Sequence, residues 1–179
     1  MVYVFLADGF EEIEALGTVD ILRRCEIDVK TVSIKEDLTV TGTHNIKVTA
    51  DILKEEIDKE KIDAIVLPGG LPGADNLENC DFLTSLIKEK SSEGKLIAAI
   101  CAAPKILGVL GLLSKVKATC YPGFEAKLVG AITKKKGVIV DKNFITAKGA
   151  GVTHEFASAI ASSLGKGIQA RRVIKAMQY

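Results

Sequence analysis

The stretch Leu96-Ile-Ala-Ala-Ile-Cys101-Ala-Ala-Pro104 decides the fold. Its first five residues are all apolar, which indicates a strand buried on both faces in the centre of a parallel sheet. Helix signals follow at once over residues 102–113, and Pro104 is tolerated in the first helical turn because the amide it lacks would be unpaired there. Cys101 is therefore predicted at a strand-to-helix junction.

Outward from this stretch, apolar strands alternate with helices over most of the chain. Such alternation predicts right-handed βαβ units, and hence an α/β fold whose mostly parallel central sheet carries helices on both faces. Residues 38–50 alternate apolar and polar side chains around residues 42–45, which predicts a small hairpin outside the main sheet. The other predicted strands are residues 2–6, 29–34, 64–67, 131–132, 138–140 and 144–147, and the other predicted helices are residues 11–24, 82–93, 153–164 and 168–177.

The composition excludes several classes of function. A chain of 179 residues that is 47% hydrophobic can bury a full core as one domain without disulfides or metals. Its 24 basic and 23 acidic residues give a net charge of +1, so no overall field attracts nucleic acid or an anionic membrane. Aromatic residues make up only 5% and tryptophan is absent, which leaves little stacking surface for nucleic acid.

The cysteine pattern indicates thiols and no metal site. Cys25, Cys80, Cys101 and Cys120 are far apart, form no C-x-x-C pair, and are accompanied by only two histidines. The N-terminal residues enter a strand pattern without the basic, apolar and cleavage segments of a secretory signal. We therefore expect a reducing, cytoplasmic location, in which Cys25 and Cys80 are structural.

Cys101 is the candidate nucleophile. At a helix start it would meet unpaired amides and partial positive charge, which favour the thiolate. The neighbouring Ala99, Ala102 and Ala103 are small, as a tight nucleophile elbow requires, although alanine stands where the G-x-S-x-G form has glycine. The alternative is a buried thiol that packs as a small hydrophobe. The junction position favours the nucleophile.

Two other strand ends carry residues that suit a reactive site. Gly69-Gly70 follows the strand at 64–67, and its amides together with that of Ala102 suit a developing oxyanion, although a glycine pair equally suits a simple tight turn. Glu11, Glu12 and Glu14 follow the first strand. One of them beside Cys101 would share protons with it, and periodicity does not choose among the three.

The same glutamates argue against a dinucleotide site, because a pyrophosphate at that helix start would meet negative charge. No G-x-G-x-x-G motif follows the first strand. Residues 149–151, with Lys148 beside them, form a weaker anion-binding signal. The lysine run at residues 134–136 is interpreted as a solvated loop.

Four segments resemble the ThiJ/PfpI superfamily, and the resemblance runs nearly end to end. They are LADGFEEIEA (residues 6–15), VLPGG followed by GADNL (66–70 and 73–77), LIAAICAAP (96–104) and AKGAGVTHEFA (147–157). The most similar branch is that of the Parkinson's-associated deglycase and chaperone-like proteins (DJ-one) and their bacterial relatives. The resemblance implies a flavodoxin-like three-layer sandwich, a single class I glutamine amidotransferase-like domain over residues 1–179, and a homodimer.

The resemblance also assigns roles to particular residues. Cys101 matches the reactive cysteine and Glu14 the buried acid that hydrogen-bonds it. The pocket amides correspond to Gly69, Gly70 and Ala102, Arg24 matches an arginine near the dimer interface, and His44 and Lys148 match basic residues at the pocket rim.

The chain departs from the branch at Tyr121, where relatives usually carry a histidine before a proline. A phenol is a poor base at neutral pH but can donate a hydrogen bond. Cys120 beside it is either a resolving thiol for oxidised Cys101 or an ordinary packed residue. Ala102 replaces the histidine of protease-like members, which disfavours peptidase activity, and His154 is expected to be a first-turn or core residue.

The implied function is a cofactor-independent and metal-free hydrolase or lyase of the glyoxalase or deglycase type, acting on small reactive carbonyls. The alternative is a non-enzymatic redox sensor or stress-protective, chaperone-like protein in which peroxide oxidises Cys101 and Glu14 caps the sulfinate. Neither reading involves nucleic acid or a membrane.

Overall fold

The computed structural model describes residues 1–179. The apolar runs form strands and the amphipathic segments between them form helices. The strands are β1 (Val2–Leu6), β2 (Val29–Ser33), β3 (Thr39–Thr41), β4 (Lys47–Thr49), β5 (Ile52–Leu53), β6 (Ala64–Leu67), β7 (Leu96–Ile100), β8 (Lys117–Ala118), β9 (Ile132–Thr133), β10 (Val138–Asp141) and β11 (Phe144–Ala147). The helices are α1 (Thr18–Arg24), α2 (Gly73–Glu78), α3 (Asp81–Ser92), α4 (Pro104–Val109), α5 (Thr153–Ser163) and α6 (Gly167–Ala176).

Seven strands form the central sheet in the order β10-β11-β7-β6-β1-β2-β5. All neighbouring pairs are parallel except β10 and β11. Every residue of β7 is buried, as the uniform apolar run at 96–100 predicts. Because β7, β6 and β1 are neighbours, the residues that follow them meet at one edge of the sheet.

Two hydrophobic cores lie on opposite faces of this sheet. Alternate residues of β1 divide between them: Val4 belongs to one core and Phe5 to the other. Helices α1, α5 and α6 contribute to the first core, and α2, α3 and α4 contribute to the second. This arrangement confirms the predicted α/β sandwich with helices on both faces.

The hairpin prediction is also confirmed, because β3 and β4 form a separate antiparallel pair. The strand predicted at residues 131–132 corresponds to β9, whereas its parallel partner β8 and the helix α2 follow from no sequence pattern identified above. None of the helices combines the length and the apolar character that crossing a membrane requires.

Two predicted helices differ from the observed ones. The helix predicted over residues 102–113 is shorter: Cys101 has a φ of +64° and Gly111 a φ of +75°, and these left-handed residues flank α4. The helix predicted over residues 11–24 begins with a π-helical turn, Ile13–Gly17, before α1. Such turns widen a helix locally and often occur at functional sites.

Candidate active site

The carboxyl ends of β1, β6 and β7 bring three sequence segments together. Cys101 follows β7 directly, Gly69 and Gly70 follow β6, and the chain after β1 turns through Gly9 into the π-helical turn that holds Glu14. A Cβ built on Gly69 would lie 2.6 Å from Cys101 Cβ and 2.7 Å from Glu14 Oε2. The three segments therefore form one site.

Cys101 occupies a strained position between β7 and α4. Its φ of +64° is uncommon for a residue with a side chain, and such strain concentrates at functional sites. Its N–H donates to Ala147 O (2.9 Å), and its carbonyl accepts from Tyr121 N–H (2.8 Å). Backbone bonds on both sides thus hold the elbow, and α4 begins only at Pro104.

Glu14 is the glutamate that enters the site. Its side chain is buried, and its Oε2 accepts a hydrogen bond from Gly69 N–H (2.8 Å). Its Oε1 has no hydrogen-bond partner of ordinary geometry. A Cβ built on Gly149 would lie 3.9 Å from both Glu14 Oε1 and Cys101 Sγ, so the unpartnered oxygen faces the sulfur.

The other two glutamates serve other groups. Glu11 Oε2 accepts from the Glu14 N–H (2.7 Å) and so fixes the π-helical turn. Glu12 is buried and binds His44 through both the His44 N–H (2.7 Å) and Nδ1 (2.8 Å). Ligand atoms of Glu11, Glu12 and His44 lie within 4.8 Å of one another, but these existing bonds already occupy them.

Cys101 and Glu14 titrate as a pair. Burial raises the pKa of Glu14 to about 7, against the lowering effect of the sulfur and the Gly69 amide. Burial, followed by the charge of Glu14, raises the pKa of Cys101 to about 12, whereas the amides of Ala102 and Gly70 lower it. Two acids in one buried space cannot both ionise readily. The pair therefore holds two protons below about pH 7 and one shared proton above it.

The sequence predicts that a helix start favours the Cys101 thiolate, whereas in the structure burial, followed by the charge of Glu14, raises the pKa of Cys101. The sulfur lies three residues before α4, and its pKa is raised instead of lowered. The sulfur becomes anionic here only when the shared proton sits on the Glu14 carboxyl beside it. Ionisation of the Cys101 thiol thus depends on Glu14 and not on the start of α4.

The two glycines have different roles. The Gly69 N–H is occupied by Glu14, so it positions the acid and does not face an oxyanion. Gly70 has a φ of +86°, and a Cβ there would lie 2.7 Å from the Phe10 carbonyl carbon. The N–H groups of Gly70 and Ala102 point toward the sulfur and have no other acceptor in the chain. These two amides are the available oxyanion donors.

A mouth cavity of about 560 Å³ opens outside the sulfur; we define it by Tyr121, Pro122, Lys148 and residues 149–152. A Cβ on Gly149 would lie 3.4 Å from the Tyr121 ring and 3.9 Å from Cys101 Sγ, so the cavity adjoins the sulfur. The half-exposed Tyr121 and Lys148 are therefore at the rim.

The remaining sequence candidates lie elsewhere. Arg24 ends α1 and pairs with Asp20 on the exposed surface, so the structure does not bring it to this site. His44 contacts Glu12 and not the sulfur. His154 lies in the first turn of α5, where its ring stacks on Tyr179. Cys120 is buried in the core on the sheet face opposite to the one that Cys101 packs against, which favours ordinary packing.

Sequence reasoning missed Lys105. This nearly buried lysine of α4 pairs with Asp75 and with Glu78 (2.9 Å), and so ties the elbow helix to α2, which follows the glycine pair. The available signal was a single charge inside the apolar segment PKILGV. A charge in such a segment requires a partner, because an unpaired buried charge is costly.

Comparisons of the sequence and of the structure with known proteins agree on one family. The model of the DJ-1/PfpI family matches residues 1–163. DJ-1 homolog B of Arabidopsis thaliana is 40% identical over 165 residues, which are 91% of this chain and 38% of the relative, so the chain spans about two fifths of that protein. A deglycase of Pyrococcus abyssi is 31% identical over 149 residues, covering 82% of this chain and 89% of the relative. The structure of oxidized Toxoplasma gondii DJ-1 superposes with a TM-score of 0.95 at 34% identity and covers 99% of this chain and 97% of that one.

Proposed function

This chain belongs to the DJ-1/PfpI family, and from that premise we propose that it is a cysteine-dependent, cofactor-independent hydrolase or lyase acting on small reactive carbonyls. The observation that carries the proposal is the buried Glu14 carboxyl held against Cys101 by the Gly69 amide, beside the free amides of Gly70 and Ala102. The deglycase name of the Pyrococcus abyssi relative agrees with this chemistry.

The first step is addition of the sulfur to an aldehyde carbon. As the C–S bond forms, the Gly70 and Ala102 N–H groups stabilise the oxygen that gains negative charge. Glu14 then delivers the shared proton to that oxygen, which gives a hemithioacetal and leaves Glu14 as a carboxylate. The raised pKa of Glu14 suits both parts of this transfer near neutral pH.

For a 2-oxoaldehyde, the Glu14 carboxylate can next remove the proton from the carbon bonded to sulfur and return it to the neighbouring carbon. The hydroxyl proton on the first carbon passes to the oxygen of its neighbour, so the first carbon is oxidised to a thioester while the neighbour is reduced to an alcohol, and no external oxidant is needed. Water hydrolyses the thioester, which releases a 2-hydroxy acid and restores the Cys101 thiol.

Conversion of methylglyoxal to lactate tests the proposal. We expect the wild type and the Cys80→Ala control to turn over the substrate, and the Cys101→Ala variant to show no activity above the uncatalysed reaction. Cys80 is half-buried and lies outside the site, so it controls for loss of any thiol. A Cys101→Ala variant as active as the wild type would contradict the proposal.

A second candidate function is redox sensing, in which peroxide converts Cys101 to sulfenic and then sulfinic acid. The observation in its favour is the close match to a relative solved in an oxidized form. Peptide mapping after mild peroxide treatment tests it: selective oxidation of Cys101 would support a sensor, and equal oxidation of all four cysteines would count against one.

The homodimer implied by the sequence resemblance is part of the same proposal. Ile13 and Ile46 are 60% and 52% exposed, and the Glu12–His44 contact brings the two segments side by side. Exposed neighbouring apolar side chains suit a subunit interface. Sedimentation of the wild type beside an Ile13→Lys variant tests this, and a wild-type monomer would refute it.

A further inference from the structure

A second cavity of about 420 Å³ adjoins the mouth cavity and shares Pro122 and Lys148 with it. The parallel strands β8 and β9 form one side of it, because the residues that follow both strands emerge at the same edge. The Lys134 N–H donates to Ala118 O (2.8 Å), and the Thr119 N–H donates to Thr146 Oγ1 of β11 (2.9 Å). Three chain segments distant in sequence are thus held around one space.

Unpaired positive charge is the main feature of this space. Lys134, Lys135 and Lys148 all line it, and none of them forms an ion pair within the chain. Seven other lysines of the chain do have carboxylate partners within 4.0 Å. The single lining carboxylate, Glu125, accepts a bond from the Gly123 N–H. The lysine run is exposed, as the solvated-loop interpretation expects, and two of its three lysines also line this cavity, which carries an excess of positive charge.

The inner wall supplies neutral donors. Thr119 and Cys120 are buried at the base, and Thr133 contributes a further hydroxyl. Burial also raises the pKa of Cys120 to about 11, so its thiol stays neutral and bears no charge that would repel an anion. Hydroxyl and ammonium groups around a small cavity are the donors that a phosphate group accepts from.

We infer that this lysine cavity, defined by Thr119, Cys120, Thr133, Lys134, Lys135 and Lys148, binds the phosphate group of a small phosphorylated ligand. Three unpaired ammonium groups match a dianion with three acceptor oxygens better than a carboxylate, which has one charge and two oxygens. The volume of about 420 Å³ holds a small metabolite and excludes a macromolecular partner.

The cavity is placed to act together with the Cys101 site. Lys148 lines both the lysine cavity and the mouth cavity, and Gly149 after it adjoins the sulfur. Cys120 and Pro122, which line the lysine cavity, flank Tyr121, whose N–H binds the Cys101 carbonyl. A ligand whose phosphate lies in the lysine cavity would therefore extend past Lys148 into the mouth cavity beside the Cys101 site. This step alone rests on the proposed function; the anion site does not.

Calorimetric titration with inorganic phosphate tests the anion site without turnover, in a Cys101→Ala background. At about pH 7.5 the ligand is mostly the dianion. We expect the Lys134→Met/Lys135→Met double variant to bind roughly tenfold more weakly or worse, since charge-assisted bonds contribute about that factor. Lys136→Met is the matched control, because Lys136 belongs to the same run but does not line the cavity. No binding by the Cys101→Ala protein, or equal weakening by the control, would overturn the inference.

A second comparison identifies the source of the phosphate. We expect the ratio of kcat/KM for hydroxypyruvaldehyde phosphate over hydroxypyruvaldehyde, a matched pair of 2-oxoaldehydes, to exceed one in the wild type and to fall toward one in the lysine double variant. Phosphate binding with that preference assigns the cavity to the substrate's own phosphate. Phosphate binding with equal kcat/KM values assigns it to a separate anionic ligand and still upholds the anion site. If the wild type turns over neither substrate but the Cys101→Ala protein still binds phosphate, the proposed function is refuted and the anion site is upheld.

Discussion

We expect a Glu14→Gln variant to become more stable relative to the wild type as the pH rises from about 4.5 to about 7. The folded chain holds a proton on Glu14 more tightly than the unfolded chain does, because burial raises its pKa from 4.5 to about 7. Between these values the folded state binds more protons than the unfolded state, so the wild-type free energy of unfolding falls with rising pH. Glutamine has no proton to lose, so the free energy of unfolding of the variant does not fall with pH in this way.

The size of the effect follows from the shift. At about 1.4 kcal/mol per pKa unit, a rise from 4.5 to about 7 corresponds to a wild-type loss of about 3 kcal/mol by pH 8. Glu14 is 1% exposed, so solvent screening does not reduce this figure appreciably. For a chain of this size about 3 kcal/mol is roughly 6–12 °C in Tm. The loss is fully absent below the unfolded pKa of 4.5.

Urea unfolding of both proteins at a series of pH values between 4 and 8 measures this difference. Glu36→Gln is the control, since Glu36 is an exposed carboxylate that makes the same chemical change without burial. We expect the wild-type-minus-variant difference to fall by about 3 kcal/mol for Glu14 and to stay constant for Glu36. A Glu14 difference that is the same at pH 4 and pH 8 would show that the acid ionises as freely in the folded protein as in the unfolded chain, and the shared-proton account would be refuted.

Three further outcomes test the site. The alkylation rate of Cys101 should rise through about pH 7 in the wild type, where the pair loses its first proton, but only above the free-thiol pKa of about 8.5 in the Glu14→Gln variant; coincident pH profiles would contradict proton sharing. Gly69→Ala should slow alkylation of Cys101 and lower the free energy of unfolding by about 1–3 kcal/mol, because the added Cβ would lie 2.6 Å from the Cys101 Cβ. The control Gly151→Ala should do neither, since its added Cβ would have no atom within 4 Å. Equal effects of the two substitutions would refute the packing argument. Lys105→Met should lower the free energy of unfolding, measured in urea, by about 1 kcal/mol, because it leaves two acidic residues of α2 without their cation. The value is modest because those carboxylates are partly exposed. An unchanged midpoint would show that these ion pairs do not stabilise the fold.

The fold could be predicted from the sequence because its main signals are local and mutually consistent. The uniformly apolar β7 is predicted in the centre of a parallel sheet, and the structure has it there, between β6 and β11. Alternation around residues 42–45 likewise allowed the hairpin of β3 and β4 to be predicted. Where the chain lacks periodicity, as in the two-residue strands β8 and β9, pairing depends on tertiary contacts and no local pattern indicates it.

The candidate site was only partly predictable for a related reason. The sequence shows which residues follow the strand ends. It does not show which of the three neighbouring glutamates turns inward, because that depends on the π-helical turn at Ile13–Gly17, for which no sequence signal exists. The division of roles between Gly69 and Gly70 depends on that same choice, since Glu14 takes the Gly69 amide. The positive φ of Cys101, which separates it from α4, could not be predicted either, because the alanines around it give no signal for a left-handed residue.

The way in which Cys101 loses its proton also bears on the proposed functions. Both proposed functions need an anionic sulfur, and because burial and the charge of Glu14 raise the pKa of this half-buried thiol, its ionisation depends on transfer of the proton to Glu14. Addition to a carbonyl makes two demands: the nucleophilicity of a thiolate increases with its pKa, and the new oxyanion needs an adjacent proton donor. A sulfur that becomes anionic by passing its proton to Glu14 satisfies both demands at once. The Cys101–Glu14 pair therefore supplies both groups that the proposed carbonyl addition needs, and oxidation of Cys101 would remove the nucleophile on which that chemistry depends.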